Sequence, residues 1–331
     1  MTDAIDTHAH VYPAAYLDRL ESIGVDPSTT AVARGVAADS TDHDMAERLR
    51  WMDAADVAVQ VLAVTPQSPA GREPGPSLDA ARWINDEYAR LVAARPDRFL
   101  AYAALPLPHV DAALAELDRV LDEPGLVGVS LPAVLPGGRT PADPLFDPVW
   151  AALDARAAVV NLHATGSGAL SPLVADRGLA WVNGAPVEDA IAVLQLLQAN
   201  VPRRFPHVRL HVAHLAGDLP FLARRLEDNF DDWDAFPESP PGALRRMWFD
   251  AENFQEPSLA LAVETLGADR IVAGSDHPYF RGEKYVRAFE YVRGSRRSDA
   301  ETDAVLARKL SGPLRPGAGG RQSLNRHAGQ T

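Results

Sequence analysis

The chain has 331 residues, 47% apolar and 23% charged, with a net charge of −13 and no cysteine. Apart from a weak basic group at Arg293, Arg296 and Arg297 it has no concentrated Lys or Arg, which excludes nucleic acid as the main partner. Without cysteine there are no disulfides and no thiolate ligands, so any bound metal must rest on His and carboxylate; a small anionic substrate, needing only one or two placed arginines, stays open.

Met1 to Asp6 run straight into a strand pattern without a basic, apolar leader. No apolar run approaches the ~18 residues that cross a bilayer, and the cytoplasm is the expected compartment. Short β-branched runs at 4–10, 57–64, 99–107, 126–133, 158–165, 208–215, 247–252 and 271–277 predict strands. Stretches of helical period near 43–55, 77–95, 110–122, 145–156, 185–200, 219–231, 257–267 and 284–310 predict helices between and after them. This alternation implies an α/β fold with a parallel sheet covered by helices, and the eight units predict a closed (β/α)8 TIM barrel. An open doubly wound sheet is the competitor, but no Gly-x-Gly-x-x-Gly follows the first strand. Three segments, 11–42, 66–76 and 165–185, interrupt the alternation after C-terminal strand ends, where a barrel builds its active site, and are candidate pocket walls. The expectation is one domain over 1–311. The Gly-, Arg- and Pro-rich stretch 312–331 is expected to be a disordered tail.

The first strand reads Ile5-Asp6-Thr7-His8-Ala9-His10. Residues two apart share a strand face, so His8 and His10 point the same way and can chelate one ion. Alone, His-x-His is a weak signal. However, the fifth strand ends in His163, the sixth in His214 and the eighth in Asp276. Strand ends converge on a barrel axis, and chance explains one such placement easily but all of them poorly. His211 has the opposite parity to His214 and is expected to pack between strand and helix. His43 and His109 fall at helix starts, His207 in a turn and His327 in the tail. His277 is expected to shape the pocket.

At these residues the sequence resembles the amidohydrolase superfamily, in the branch of 2-amino-3-carboxymuconate-6-semialdehyde decarboxylase and related aromatic-acid decarboxylases. The resemblance spans roughly 4–290. It rests on Met52-Asp53 before Val59-Gln60-Val61-Leu62, on Trp181-Val182-Asn183-Gly184-Ala185-Pro186, on Phe205-Pro206 before His214-Leu215-Ala216-Gly217, and on Gly274-Ser275-Asp276-His277-Pro278. It implies His8, His10, His163 and Asp276 as ligands of one divalent metal ion, Zn2+ first and Mn2+ second. It implies that His214 hydrogen-bonds metal-bound water or substrate. It also implies that Arg225 reaches a substrate carboxylate in a neighbouring subunit, and hence a homodimer. The chain departs from the pattern at Ala164, where many members have Pro, at Ala216, where Gly is usual, and in lacking the branch's Gly-Asn-Ala ending.

Three imidazoles and one carboxylate leave positions open on an ion, the mark of a catalytic site. The expected reaction is non-oxidative decarboxylation of a small aromatic or unsaturated acid, with His214 and Asp276 as the proton-handling groups and Arg225 on the substrate. The runner-up is hydrolysis of a lactone, ester or amide by metal-activated water. Two-metal hydrolases of the superfamily carry a lysine on strand four; Leu126-Val127-Gly128-Val129-Ser130-Leu131-Pro132-Ala133 has none, which favours one metal. A scaffold that had lost catalysis would show a broken donor set, and this one is intact. Arg19 and Arg34, in the first insertion, are further candidates to meet a substrate anion.

Overall fold

The computed structural model describes residues 3–308. Eight strands pair in parallel and in chain order: β1 (Ala4–His10), β2 (Val57–Ala63), β3 (Phe99–Ala104), β4 (Leu126–Pro132), β5 (Val159–His163), β6 (Arg209–Val212), β7 (Trp248–Asp250) and β8 (Ile271–Val272). The last strand returns to the first, since Thr7 N–H donates to Ala273 O, Asp276 N–H to His8 O and His10 N–H to His277 O. The fold is therefore the (β/α)8 barrel that the alternation predicts.

Each strand is buried on both faces, which is why the strands read as nearly continuous apolar runs. Inside the barrel, Val61, Ala63, Tyr102, Val127, Val159 and Val272 pack together, with Ile5, Leu100 and Trp248 against them. The alternate residues, such as Leu62, Val129, Val160, Leu210 and Phe249, pack in the layer shared with the helices. Burying side chains of this size stabilises by about 1.5–3 kcal/mol each. Gly128 is required where β4 meets β5, since a Cβ there would lie 2.2 Å from Val159 O.

Several boundaries differ from the sequence expectation. β6 stops at Val212 and β8 at Val272, because the backbone beyond them turns left-handed at His214 and at Asp276. The stretch read as one helix over 284–310 is broken. A helix spans Glu283–Arg293, and after Gly294 a capping box at Ser298 starts a second at Asp299–Asp303. The expected tail, 312–331, lies outside the described residues. In the first insertion a helix at Ala14–Ser22 brings Tyr16 to stack on Trp83. There Arg34 is ion-paired to Asp18 and Glu21, and the Arg19 guanidinium lies over the Trp83 ring. None of the described helices is long and apolar enough to cross a membrane.

Candidate metal centre

β1 reaches the barrel mouth through a bulge. Its register against β2 slips by one residue between Asp6 and Ala9. Ile5 packs inside the barrel, so regular alternation would turn Thr7 and Ala9 inward. The extra residue instead turns His8 and His10 inward. Asp6 faces the helix layer, where it accepts from Gln60 Nε2, Ser275 Oγ and Tyr285 OH. Arg48, fully buried, donates to Gln60 Oε1 and to His10 O, and so ties that layer to the strand end.

The structure brings His8, His10, His163 and Asp276 together, with one donor atom of each within 4.8 Å of the others. His8 Nε2 lies 3.0 Å from His163 Nε2 and 3.4 Å from Asp276 Oδ1, which lies 3.0 Å from His10 Nε2. Bonds of about 2.1 Å meeting at about 90–110° separate their donors by about 3.0–3.4 Å. The cluster thus has the spacing of a site for one small divalent ion. The tautomers agree. His163 Nδ1 donates to Ala164 O at 2.6 Å, and His8 Nδ1 faces Asp250 Oδ2 at 3.0 Å. His163 therefore turns an Nε2 lone pair to the cluster, and His8 can do so where a cation takes the place of its Nε2 proton.

Electrostatics point the same way. Burial and then the neighbouring imidazoles push His163 well down, so it stays neutral. Burial opposes charge on His8, but Asp250 and Asp276 outweigh it and hold that imidazole well up. Burial would also raise Asp276, yet contacts from His10 and His8 hold its carboxyl far below the usual range. A field that favours positive charge at His8 favours a cation in the same place.

Below the cluster, a polar chain crosses the barrel. Thr65 Oγ1 and Ser130 Oγ are 2.7 Å apart, Ser130 Oγ donates to Asn161 Oδ1, and Asn161 and Tyr102 both donate to His211 Nδ1. His211 Nε2 then faces Asp250 Oδ2 at 3.5 Å. His211 is thus inside the barrel, not between strand and helix. Strand parity does not carry from His211 to His214 because β6 ends before His214. Left-handed φ values of 53°, 52° and 53° at His214, Leu215 and Ala216 re-aim the chain, so His211 and His214 both face inward. His277 is buried edge-on to Tyr285.

His214 Nδ1 lies 2.6 Å from Asp189 Oδ2, which leaves Nε2 as the free ring nitrogen. Burial opposes its charge, but Asp189 outweighs burial and pushes His214 up to about 9. Its ring centroid is 5.1 Å from that of His8 and 5.1 Å from that of His163. Arg225, by contrast, is exposed on the helix Leu219–Asp228, and no contact joins it to the cluster of its own chain. The loop after β5 is clamped by buried Glu188, and Trp181 from that loop stacks on Tyr279. Tyr12 stacks on His10, so the mouth has an aromatic wall suited to a flat ligand. The sequence reading missed Asp189, Glu188, Asp250 and Glu252. Of these, only Asp250 and Glu252 had a local signal, their places two and four residues after inward Trp248 in the strand predicted over 247–252.

A parallel barrel whose strand ends converge on three imidazoles and a carboxylate defines a class of proteins equipped for one-ion chemistry. The chain belongs to the amidohydrolase family, whose profile, described as Amidohydrolase, matches residues 5–308. It is 30% identical over 284 residues to a gamma-resorcylate decarboxylase of Rhizobium sp., spanning 78% of this chain and 82% of the relative. It is 26% identical over 302 residues to the 2-amino-3-carboxymuconate-6-semialdehyde decarboxylase of Dictyostelium discoideum, spanning 84% and 82%. Its fold matches a mutant 5-carboxyvanillate decarboxylase of Novosphingobium aromaticivorans, holding manganese and 3-methoxy-4-hydroxy-5-nitrobenzoic acid, with TM-score 0.80 and 18% identity over 94% of this chain and 96% of that one.

Proposed function

We propose that this protein is a metal-dependent, non-oxidative carboxy-lyase that removes carbon dioxide from a small aromatic or unsaturated carboxylic acid. The observation that carries the reading is the four-donor cluster beside His214, in a chain whose near full-length relatives are decarboxylases. His8, His10, His163 and Asp276 would hold one divalent ion. Three imidazoles and a carboxylate suit Zn2+; Mn2+, the ion of the structural neighbour, is the second choice. When bound, the ion would supply Lewis-acid chemistry beside the substrate's carboxylate.

The chain's own residues would do the rest. His214, anchored through Nδ1, holds a proton at Nε2 toward the substrate. The carbon that bears the carboxylate takes a proton from water held by His214, directly or by way of Asp276, which rests ionised and must first receive that proton, as the carbon–carbon bond breaks and carbon dioxide leaves. Trp181, Tyr279 and Tyr12, which pack against one another at the mouth, would flank the ring. Arg225 meets the substrate anion of a second subunit in a homodimer. In support, the same helix leaves Phe221 exposed, and the loop after β5 leaves Leu173 and Val182 exposed, the kind of apolar area that a subunit contact covers.

The test is a carbon dioxide release assay of metal-loaded enzyme on hydroxybenzoates and carboxymuconate-like acids. Release from at least one is expected, and release from none rejects the reading. For Arg225, Arg225→Gln should raise KM by about 10-fold or more with little change in kcat. Mixing it with an Asp276→Asn chain should restore one working site per heterodimer, and a strictly monomeric enzyme would reject the shared-site role.

A further inference from the structure

Glu252 lies two residues beyond Asp250, where β7 opens onto the mouth of the barrel. Along this strand Trp248 packs into the interior and Phe249 into the helix layer. Asp250 reaches His8 and His211 inside, and Ala251 returns to the outer core. The two-residue period makes Glu252 the next inward side chain, one step nearer the mouth. Its own N–H donates to Asp250 Oδ1 at 3.1 Å, which fixes the turn.

The side chain is only 8% exposed, yet its carboxylate makes no hydrogen bond and no ion pair with any described residue. The charged groups that act on it are those of the site: His214, Asp276, His8 and Asp250. Burial pushes it up to about 7, with His214 opposing. With no protein donor and its oxygens not fully shut off, the carboxylate is left to whatever occupies the mouth, and no reaction step above uses it. Asp250, Glu252 and Asp276 also make one side of the site acidic, so a second substrate carboxylate placed there would meet like charge.

We propose that Glu252 is a specificity-determining residue that accepts a hydrogen bond from a hydroxyl or amino substituent of the substrate and disfavours a second carboxylate at that position. The proposal rests on the decarboxylase reading for the substrate's ring and reacting carboxylate, and adds the substituent.

Metal-loaded wild type, Glu252→Gln and Glu252→Leu are titrated calorimetrically with salicylate, the dihydroxybenzoate and aminosalicylate isomers, and the matching hydroxybenzenedicarboxylates. Wild type should bind at least one dihydroxy or amino isomer about 10-fold or more tighter than both salicylate and the matching diacid. Glu252→Leu should lose the advantage over salicylate. Glu252→Gln, which keeps an acceptor without the charge, should keep that advantage and lose the discrimination against the diacid. Equal ratios in wild type and Glu252→Gln overturn the proposal, as does failure of wild type to bind any of these acids. Metal content that falls in Glu252→Gln also overturns it, by making Glu252 a ligand. Should Glu252→Leu not fold, the Gln arm decides alone. Carbon dioxide release from the same samples separates the two readings. Shifted ratios without release reject the decarboxylase and leave the binding role, whereas release with unshifted ratios does the reverse.

Discussion

His8 divides its two ring nitrogens between a carboxylate and the donor cluster: Nδ1 lies 3.0 Å from Asp250 Oδ2, and Nε2 lies 3.0 Å from His163 Nε2. A carboxylate that accepts the Nδ1 hydrogen fixes both ring orientation and tautomer, and raises the basicity of the other nitrogen. Asp250→Asn can offer an amide N–H where His8 needs an acceptor. We expect it to weaken metal affinity about 10–100-fold, measured by competition with a chromogenic chelator. Affinity within about threefold of wild type would show that Asp250 does not orient a ligand.

Gly274 keeps that pair together. A Cβ at this position would come within 2.9 Å of both the His8 and the Asp250 Cβ atoms. Neither can retreat, because each is buried on a strand of a closed barrel. Gly274→Ala should therefore cost about 1–3 kcal/mol in urea unfolding, and weaken metal binding together with stability. A stable variant with normal metal affinity would show that the strands have slack at this point.

How far the site was legible depended on how each residue arrives there. His163 was readable because it ends β5 regularly, and strand ends of a barrel converge. His8 and His10 share a face as expected, but they face inward only through a bulge that no local pattern announces. For His211 the reading failed, since it extended β6 to residue 215 and counted parity through a left-handed turn. Glu188 sits in the first turn of the helix Ala185–Gln198, where acidic residues are ordinary, and Asp189 follows it. Their partners, His214 and the 165–167 loop, are brought to them only by tertiary folding. The barrel itself was legible because eight strand–helix alternations leave few other closures.

Glu188 is a clamp rather than a helix charge. Its two carboxylate oxygens accept from Thr165 N and Oγ1, both at 2.5 Å, and from Ser167 N and Oγ at 3.0 and 2.8 Å. Those residues follow directly on His163 and begin the loop that carries Trp181. Glu188→Ala would leave four donors without their acceptor, at about 1–3 kcal/mol for each one that stays buried. We expect a lower Tm and faster proteolysis within 165–184. KM should rise more than kcat falls, because the aromatic wall loosens while the proton-handling groups stay in place. Unchanged cleavage in that loop would mean that its own packing holds it.

Asp189 sets the protonation of His214. In the folded chain the carboxylate holds the imidazole up to about 9 against the effect of burial, while burial pushes Asp189 itself up to about 7. Both partners are therefore charged between about 7 and about 9. An unperturbed histidine, near ~6.5, would already be neutral over that range. If His214 must hold a proton toward the substrate, wild-type kcat/KM should fall on the alkaline side as His214 loses that proton. Asp189→Asn removes the charge that favours the imidazolium and leaves burial, which disfavours it. The sign of the change is then fixed: the alkaline limb moves to lower pH, by about one unit or more, and activity at pH 8 falls further than activity at pH 6. A variant that loses activity equally at both pH values would show that Asp189 only positions the ring. An acid-side limb in wild type that moves to lower pH in Asp189→Asn would mean that neutral His214 is the working form.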